Sequence, residues 1–486
     1  MTMPILAGFY PDPSICRVGE WCYLASSTFE YVPGVPIHRS RNLVDWELVG
    51  HALTDPAVIN GGEGHDAASS GIFAPTLRHH DGLFWMITTS IRDAGRGQLI
   101  VHAEDPAGPW SAPVYVEGTD GIDPDLAWLD DGTCLLTWCG HHPPAIYQVE
   151  VDPRTGERLT DRIELWRGTE MKDTEGPHLF ERDGWWYLSV AEGGTHVGHG
   201  ASIARSRSPR GPFESNPANP ILTHRSLPHP VQATGHPDLV ELADGSWAMV
   251  YLGTRPSGAY PGFHVNGRET FIAGVDWIDG WPVVDEDRYD VPDRDGSWDE
   301  PFVGDALDAR WVAPGKAPAQ IATVTAAGLE LSVGRDADAG EQLDLLCARI
   351  PAIGFLATAE VTAGDACLSV RMDARSWVGV ERVGDQVRGR AVSGPFDQAL
   401  TELDLRDGDQ LAVRSSPSRE LYGRLGPDLL EPGIVRDGEF VPLGAIDGRY
   451  VSTEVAGGFT GRMLAIEALG GAATARRMAY AEEPRD

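Results

Sequence analysis

The hydrophobic and polar positions of the first 290 residues repeat five times. Each copy has one residue, a proline, a second residue and an aliphatic side chain, followed by a polar turn and an apolar, aromatic-rich run. The five copies begin at Asp12-Pro13-Ser14-Ile15, Ala74-Pro75-Thr76-Leu77, Asp123-Pro124-Asp125-Leu126, Gly176-Pro177-His178-Leu179 and His236-Pro237-Asp238-Leu239. Two apolar runs joined by a short polar turn are typical of a β-hairpin. The pattern therefore predicts five hairpins about 50–60 residues apart, as in repeat proteins.

A second half follows each hairpin. It consists of another β-like run, a polar turn and often an aromatic residue. The five runs are Pro36–Ser40, Leu99–His102, Ile146–Val149, Ser202–Ser206 and Phe271–Val275. Four antiparallel strands, repeated around an axis, form the blades of a β-propeller. We therefore predict an all-β fold with a five-bladed β-propeller over residues 1–290. The alternative is a β-sandwich whose hairpins match by chance.

The repeat stops beyond Asp290. Residues 291–299 are rich in Pro, Asp and Gly, as in a linker. In residues 300–486, alternating apolar runs such as 355–361 are separated by turn residues. This pattern predicts a second all-β domain, a β-sandwich of the concanavalin-like kind.

The composition of the chain restricts which partners it can bind and where in the cell we expect it. The formal net charge is −33, which argues against nucleic acid or an anionic membrane surface as a partner. Neither a secretory signal nor an apolar stretch of about 20 residues is visible. None of the six cysteines forms a Cys-x-x-Cys pair. We therefore expect a cytoplasmic protein with reduced thiols, and we leave homo-oligomerisation open.

The propeller geometry brings distant residues together. The first strand of each blade lines the central channel, so the five repeated segments should converge at one channel mouth. Three carboxylates and one histidine would meet there: Asp12, Asp123, Glu175 and His236. A channel mouth surrounded by loops is a common place for a ligand pocket.

Paired carboxylates across a pocket suggest glycoside hydrolysis. One must be ionised to take a proton from water, and the other must stay protonated to donate to the leaving oxygen. A third carboxylate nearby raises the pKa of the acid by like-charge repulsion. Taken singly, Asp12 and Asp123 are also ordinary turn residues before proline, and Glu175 is an ordinary loop residue. Their equivalent positions in the blades favour a site.

Four further residues have two interpretations each. His236 is either a hydrogen-bonded structural histidine or a ligand of a metal or water on the propeller axis. Arg268 either orients a sugar hydroxyl or an acid, or is an exposed loop residue. Phe29 and Phe73 either stack on a sugar face or belong to the core.

Several longer stretches of sequence identify a protein family more specifically than these single residues do. They are residues 8–14 (GFYPDPS), 27–36 (STFEYVPGVP), 71–75 (GIFAP), 122–126 (IDPDL), 174–178 (TEGPH), 191–195 (AEGGT) and 267–270 (GRET). In these stretches the chain resembles glycoside hydrolase family 43, of the β-xylosidase/α-L-arabinofuranosidase type with a C-terminal β-sandwich. The resemblance is looser over 300–486, where residues 448–450 and 457–461 match.

The resemblance implies an inverting mechanism on a five-bladed propeller. It implies that Asp12 is the general base, Asp123 the residue that tunes and orients the acid, and Glu175 the general acid. It also implies that Arg268 binds substrate and that Phe29 and Phe73 are pocket walls. No cofactor is required, although a structural Ca²⁺ or other divalent cation near His236 is a further expectation.

Two residues depart from the family pattern. Asp125 stands where a small residue such as Ser is more common and adds a carboxylate near Asp123, and Phe73 stands where Trp is usual. Both departures bear on which sugar is bound.

We therefore expect an exo-acting, inverting glycosidase that releases a terminal pentose, first of all β-D-xylose, from short oligosaccharides. The alternatives are an α-L-arabinofuranosidase or another family 43 specificity, and a sugar-binding propeller without catalysis. Inversion requires about 6.5–9.5 Å between the base and acid carboxyl groups.

Overall fold

The computed structural model describes residues 3–59, 67–332, 344–418 and 425–483. The described chain forms seven antiparallel sheets of four or more strands and one two-stranded sheet. Helices are short: α1 (Pro56–Ile59), α2 (Pro318–Ile321), α3 (Thr453–Ala456) and two 3-10 helices at Ile91–Arg96 and Gly448–Val451. The predicted all-β fold is confirmed. Among the residues that the structure describes, none of the helices has the length and apolar content that crossing a bilayer requires.

Five sheets follow one another along the first 285 residues, each built from strands that are neighbours in sequence. The first contains β1 (Ser14–Val18), β2 (Trp21–Ala25), β4 (Gly34–Ser40) and β5 (Glu47–Leu53), and β3 (Tyr31–Val32) lies between β2 and β4 along the chain. The second contains β6 (Thr76–His80), β7 (Leu83–Thr88), β8 (Gln98–Ala103) and β9 (Val114–Val116).

The next three sheets continue the order. The third contains β10 (Ile122–Trp128), β11 (Cys134–His141), β12 (Pro144–Asp152), β13 (Glu157–Arg158) and β14 (Ile163–Trp166). The fourth contains β15 (Glu175–Arg182), β16 (Trp185–Glu192), β17 (Gly200–Ser206) and β18 (Glu214–Ser215). The fifth contains β19 (Gln232–Glu241), β20 (Trp247–Thr254), β21 (Glu269–Ile278) and β22 (Trp281–Asp285). All five predicted hairpins are therefore present.

The first strands of the five sheets contact one another in turn, and β19 contacts β1, so that the series closes on itself. Backbone groups join neighbouring sheets at this ring. The N–H of Ile15 donates to the Asp238 carboxylate (2.9 Å), and the N–H of Leu179 donates to the Asp125 carboxylate (2.7 Å). The repeated segments thus line one central axis.

Apolar side chains fill the spaces between adjacent sheets. Five clusters each lie between two consecutive sheets, including one between the fifth sheet and the first that contains Leu24 and Val250. Burying such apolar faces is the main favourable contribution to folding. The closed series of clusters holds the inner strands in place around the axis.

The C-terminal part contains two larger sheets. The strands of this part are β23 (Trp298–Glu300), β24 (Ala313–Pro314), β25 (Ala322–Thr325), β26 (Gly328–Leu331), β27 (Leu346–Arg349), β28 (Phe355–Ala363), β29 (Ala366–Asp373), β30 (Ser376–Val383), β31 (Gln386–Ser393), β32 (Phe396–Asp404), β33 (Gln410–Pro417), β34 (Asp428–Arg436), β35 (Glu439–Pro442), β36 (Ile446–Asp447), β37 (Met463–Ala468) and β38 (Ala473–Glu482). All of them except β24 belong to the two larger sheets. One sheet runs β25-β26-β38-β28-β33-β34-β35 with β23 and β36 beside it, and the other runs β27-β37-β29-β30-β31-β32. Both contribute to one apolar core.

The two parts of the chain touch near the axis. Strand β24 pairs with β3, and the Arg349 guanidinium donates to the carbonyl of Phe9 (2.7 Å). The Asn266 side chain donates to the carbonyl of Ile350 (2.9 Å). The C-terminal sheets are therefore packed against the end of the first part that carries the repeated segments.

Candidate active site

A left-handed backbone conformation recurs where four of the five repeated segments begin. The φ angles are 53° at Asp12, 56° at Asp123, 57° at Gly176 and 50° at His236. Such a conformation costs a non-glycine residue about 1–3 kcal/mol and persists only where the surroundings impose it. The β-register is also irregular at these points of β10, β15 and β19. Irregularities of this kind redirect side chains, here toward one pocket.

Gly176 occupies the position that an aspartate holds in two other repeats. A Cβ atom there would lie 3.0 Å from Nε2 of His236, tighter than nine in ten real Cβ contacts. Glycine at this position therefore makes room for the histidine of the next sheet.

One pocket gathers every residue that the sequence predicted for the site. The pocket is small, with a cavity volume of about 60 Å³. Its predicted lining residues are Asp12, Phe29, Phe73, Asp123, Glu175, His236 and Arg268. The sequence analysis did not assign the other four, which are Ala74, Ile122, Thr195 and Phe459.

Asp12 is held by strong donors. Its carboxylate accepts hydrogen bonds from Ser27 Oγ (2.6 Å) and from both terminal nitrogens of Arg268 (2.7 and 3.3 Å). Bonds from a guanidinium to a carboxylate are charge-assisted and therefore strong. The Asp12 carboxylate is thus held in a fixed position at the pocket.

Asp123 and Glu175 are the other two carboxyl groups of the pocket. Burial, together with the charges of Glu175 and Asp12, raises the pKa of Asp123 well above its usual range. Burial first, and then the charge of Asp12, raises the pKa of Glu175 to about 7. Asp123 also accepts the backbone N–H of Gly176 (3.0 Å), beside Glu175. Near neutral pH these acids retain a proton that can be donated.

Three phenylalanine rings form the apolar wall of the pocket. The ring centroids of Phe29 and Phe73 are 5.1 Å apart, and that of Phe459 lies 5.7 Å from Phe29 and 5.9 Å from Phe73. Phe459 belongs to the C-terminal part, and its backbone N–H donates to Ser69 Oγ (2.8 Å). Residues 457–461 carry part of the looser family resemblance, but nothing in the sequence pattern indicated that this segment reaches the pocket.

Thr195 is a second residue without a predicted role. Its Oγ1 accepts a hydrogen bond from Arg268 Nη1 (3.2 Å), the nitrogen that also contacts Asp12. Its segment is one of the stretches that carry the family resemblance, which was the available signal. Thr195 therefore helps to hold the Arg268 guanidinium against Asp12.

His236 has the geometry of a neutral partner of Asp12. Its Nδ1 lies 3.6 Å from the Asp12 carboxylate, and burial lowers its pKa to about 4. Within the described ranges, no three His, Cys, Asp or Glu side chains are grouped so that they could hold a metal ion. The described side chains alone do not form a metal site, so the cation expected near His236 stays a prediction, and the chemistry below does not use it.

A buried polar layer lies beneath the pocket. The Arg78 guanidinium contacts the carboxylates of Asp125 and Asp238, both at 2.8 Å, and Nδ1 of His178 at 2.9 Å. Asp125 is fully buried, so the carboxylate expected near Asp123 pairs with Arg78 and is not among the residues that line the pocket. This layer supports the site from below.

Carboxyl groups with a raised pKa, in one pocket with a carboxylate that is hydrogen-bonded to an arginine, are the kind of groups that glycoside hydrolysis uses. The family model "Glycosyl hydrolases family 43" matches residues 1–282. The match covers more than half of the chain, and the chain therefore belongs to this family.

Relatives and solved structures agree with this assignment. The chain is 45% identical over 288 residues to "Non-reducing end alpha-L-arabinofuranosidase BoGH43B" of Bacteroides ovatus, covering 58% of this chain and 53% of that protein. It is 43% identical over 314 residues to a "Xylosidase/arabinosidase" of Butyrivibrio fibrisolvens, covering 60% and 59%. The matched region thus spans a little over half of these relatives.

The solved structures extend the likeness over the whole chain. "Bacteroides ovatus Xyloglucan PUL GH43B" matches with a TM-score of 0.86 and 32% identity over 100% of both chains. A xylan beta-1,4-xylosidase from Bacillus halodurans C-125 matches with a TM-score of 0.86 and 27% identity, over 99% of this chain and 100% of that one. The C-terminal sheets therefore belong to the shared architecture.

Proposed function

We propose that this protein is an exo-acting glycoside hydrolase that releases a terminal pentose, first of all β-D-xylose, from short oligosaccharides. The observation that carries the proposal is the convergence of Asp12, Asp123, Glu175 and Arg268 on one small pocket. An α-L-arabinofuranosidase is the second candidate, because relatives with both kinds of name match the chain.

The pocket supplies the groups for a single displacement with inversion. Asp12, whose carboxylate accepts hydrogen bonds from Arg268 and Ser27, takes a proton from a water molecule as that oxygen bonds to the anomeric carbon. Glu175, with a pKa of about 7, gives its proton to the glycosidic oxygen as the bond to the anomeric carbon breaks. Asp123 accepts the N–H of Gly176 and so orients the loop that carries Glu175, whereas burial and the charge of Asp12 keep the pKa of Glu175 raised.

The architecture supports this assignment of roles. The five consecutive sheets and their closed ring of inner strands fit a five-bladed propeller. We assign residues 1–290 to this propeller, 291–299 to a linker and 300–486 to a β-sandwich. Phe459 gives the sandwich a direct part in the pocket wall, so the two domains would act as one enzyme.

Pocket size favours removal of one terminal sugar. A cavity of about 60 Å³, bounded by three aromatic rings on one side and by acids on the other, suits a single sugar ring better than a long chain. Aromatic faces pack well against the apolar side of a sugar.

Hydrolysis of aryl β-D-xyloside and aryl α-L-arabinofuranoside tests the proposal. We expect turnover of at least one, with the xyloside preferred, and first formation of the product anomer opposite to that of the substrate, measured by proton NMR. Retained sugar binding without turnover of any aryl pentoside would instead indicate a non-catalytic propeller. Retention of the anomeric configuration would contradict the roles given to Asp12 and Glu175.

A further inference from the structure

Two buried glutamates lie outside the pocket and take no part in the chemistry described above. Glu192 ends β16 and Glu269 begins β21, and both side chains are completely buried. Neither is among the residues that line the pocket. Burial of a carboxylate is unfavourable unless hydrogen bonds or an opposite charge compensate it, so the partners of each glutamate indicate what it does.

The partners of Glu192 lie in the loop before the acid. Its carboxylate accepts hydrogen bonds from the backbone N–H (2.7 Å) and the hydroxyl (2.8 Å) of Thr169. It also accepts a bond from the hydroxyl of Thr174 (3.3 Å), the residue directly before Glu175. The register of β15 and β16 places Glu175 opposite Ala191, the neighbour of Glu192. One carboxylate outside the pocket therefore holds the loop that leads to the acid.

A glycine shows how closely this loop approaches the carboxylate. Gly168 has a φ angle of 78°, and a Cβ atom there would lie 2.1 Å from Oε1 of Glu192 and 2.5 Å from Oγ1 of Thr174. Real Cβ atoms essentially never show contacts under 3.0 Å. The loop can thus reach Glu192 in this way only because it carries glycine at this position.

The partners of Glu269 surround the base. Its Oε1 accepts the backbone N–H of Gly8 (2.7 Å), which begins the segment that leads to Asp12. The adjacent residue, Arg268, donates to Asp12 (2.7 Å), and its backbone carbonyl accepts the N–H of Tyr10 (3.2 Å). Two adjacent residues thus hold the segment of the base at its carboxylate and at two backbone groups.

Arg255 fixes Glu269 in turn. Its guanidinium donates two hydrogen bonds to the Glu269 carboxylate (2.5 and 2.7 Å). Two parallel bonds of this kind set the orientation of a carboxylate as well as its position. Nη2 of Arg255 also donates to the carbonyl of Pro351 (3.0 Å), so the C-terminal part helps to hold the ion pair behind the base.

We infer that Glu192 and Glu269 are positioning residues, Glu192 for the acid Glu175 and Glu269 for the base Asp12. The inference rests on the proposed function and adds to it two residues that act only through the catalytic carboxyl groups. A misplacement of about 1 Å can lower the rate of an enzyme about 100-fold. Loss of either glutamate should therefore reproduce, in weaker form, the defect caused by loss of the carboxyl group that it holds.

The test of Glu192 compares kcat/KM on aryl pentosides with poor and with activated leaving groups. We expect Glu192→Ala to lose about 10- to 100-fold on the poor leaving group and little on the activated one, which leaves without a proton. In a chain that already carries Glu175→Ala, the same change should cause no further loss. Glu192→Gln should keep most of the activity, because the hydroxyl of Thr169 can accept a bond from the amide as well as donate one.

The test of Glu269 uses the same substrates. Glu269→Gln turns an amide nitrogen toward Arg255, so that donors face each other. We expect it to lose about 10- to 100-fold on both leaving groups alike, and to cause no further loss in a chain that already carries Asp12→Ala. This lack of additivity separates action through the base from a general structural defect.

Milder variants and a matched control make the test independent of folding. Thr169→Val and Arg255→Lys each remove only part of the bonds and should give smaller losses of the same two kinds. Glu381 is a buried glutamate of the C-terminal sheets that pairs with Arg388 and Arg390, both at 2.8 Å. Glu381→Gln should leave the kinetics on both leaving groups unchanged. Thermal unfolding sets a temperature at which every variant is folded.

The outcomes separate this inference from the proposed function. Equal losses of Glu192→Ala on both leaving groups would overturn the inference, and so would losses that add to those of Glu175→Ala or Asp12→Ala. In each of these cases wild-type turnover would still support the enzyme. If the wild type hydrolysed no pentoside at all, the proposed function would fail and the positioning roles with it.

Discussion

Glu30 gives the sharpest stability prediction. Its side chain is buried next to the pocket wall and accepts the backbone N–H of Ser69 (2.9 Å). Burial first, with a smaller contribution from Asp373, raises the pKa of Glu30 to about 8, and Arg92 opposes this shift. The hydroxyl of the same Ser69 holds the backbone of Phe459. The protonation of Glu30 therefore concerns the contact that brings the C-terminal part to the pocket.

The size of this effect on the free energy of unfolding follows from the difference in the pKa of Glu30 between the folded and the unfolded chain. The folded protein binds this proton more tightly than the unfolded chain, so the stability it contributes is fully present below about pH 4.5 and is lost as pH rises through about 8. Between pH 6 and pH 8 the free energy of unfolding should fall by roughly 2 kcal/mol through this group alone. Glu30→Gln keeps the shape and an acceptor oxygen but cannot ionise, and should remove this part of the pH dependence.

Urea denaturation at pH 6, 7 and 8 measures the effect. We expect the wild type to lose stability across this range more steeply than Glu30→Gln, and the variant to be the more stable protein at pH 8. The control is Glu20→Gln, which changes an exposed carboxylate and should follow the wild type. If Glu30→Gln and the wild type lost stability in parallel, the burial argument for Glu30 would be refuted.

Three further predictions concern the pocket. The pH profile of kcat/KM should lose activity on the alkaline side with a midpoint near 7, where Glu175 releases its proton; a profile flat beyond pH 9 would exclude Glu175 as the acid. Phe459→Ala should raise KM about fivefold through the loss of ring contacts, whereas Phe396→Ala, which removes a ring exposed on the C-terminal sheets, should not. Arg268→Lys should lower kcat/KM about 100-fold or more, because it breaks the paired bonds to Asp12; a twofold change would show that these bonds do not position the base.

The repeated pattern explains how much of the fold the sequence revealed. A hairpin signal that returns five times in register defines five equivalent strands, and equivalent strands around an axis bring their first residues together. This reasoning placed Asp12, Asp123 and Glu175 in one pocket before any coordinates. The third residue of a segment, such as Asp125 or Asp238, lies in the buried layer beneath the pocket and contacts Arg78. The sequence analysis did not predict this layer.

Other features depend on tertiary contacts that leave no local signal. Phe459 reaches the pocket because the C-terminal sheets pack on the end of the ring, and a Gly-rich loop alone does not disclose its neighbours. Asp125 pairs with Arg78, which directly follows the repeated segment 74–77 and is not part of the repeated pattern. The division at residues 290 and 300, the cytoplasmic location, the oligomeric state and the cation near His236 stay predictions.

The central claim is that Glu175 donates the proton while Asp12 activates water in the same pocket. The most direct test measures Glu175→Ala and Asp12→Ala on aryl pentosides with good and with poor leaving groups. An activated phenol leaves without a proton, so Glu175→Ala should lose far more activity on poor leaving groups than on activated ones, whereas Asp12→Ala should lose activity on both alike. Equal losses on both substrates for Glu175→Ala would contradict the account.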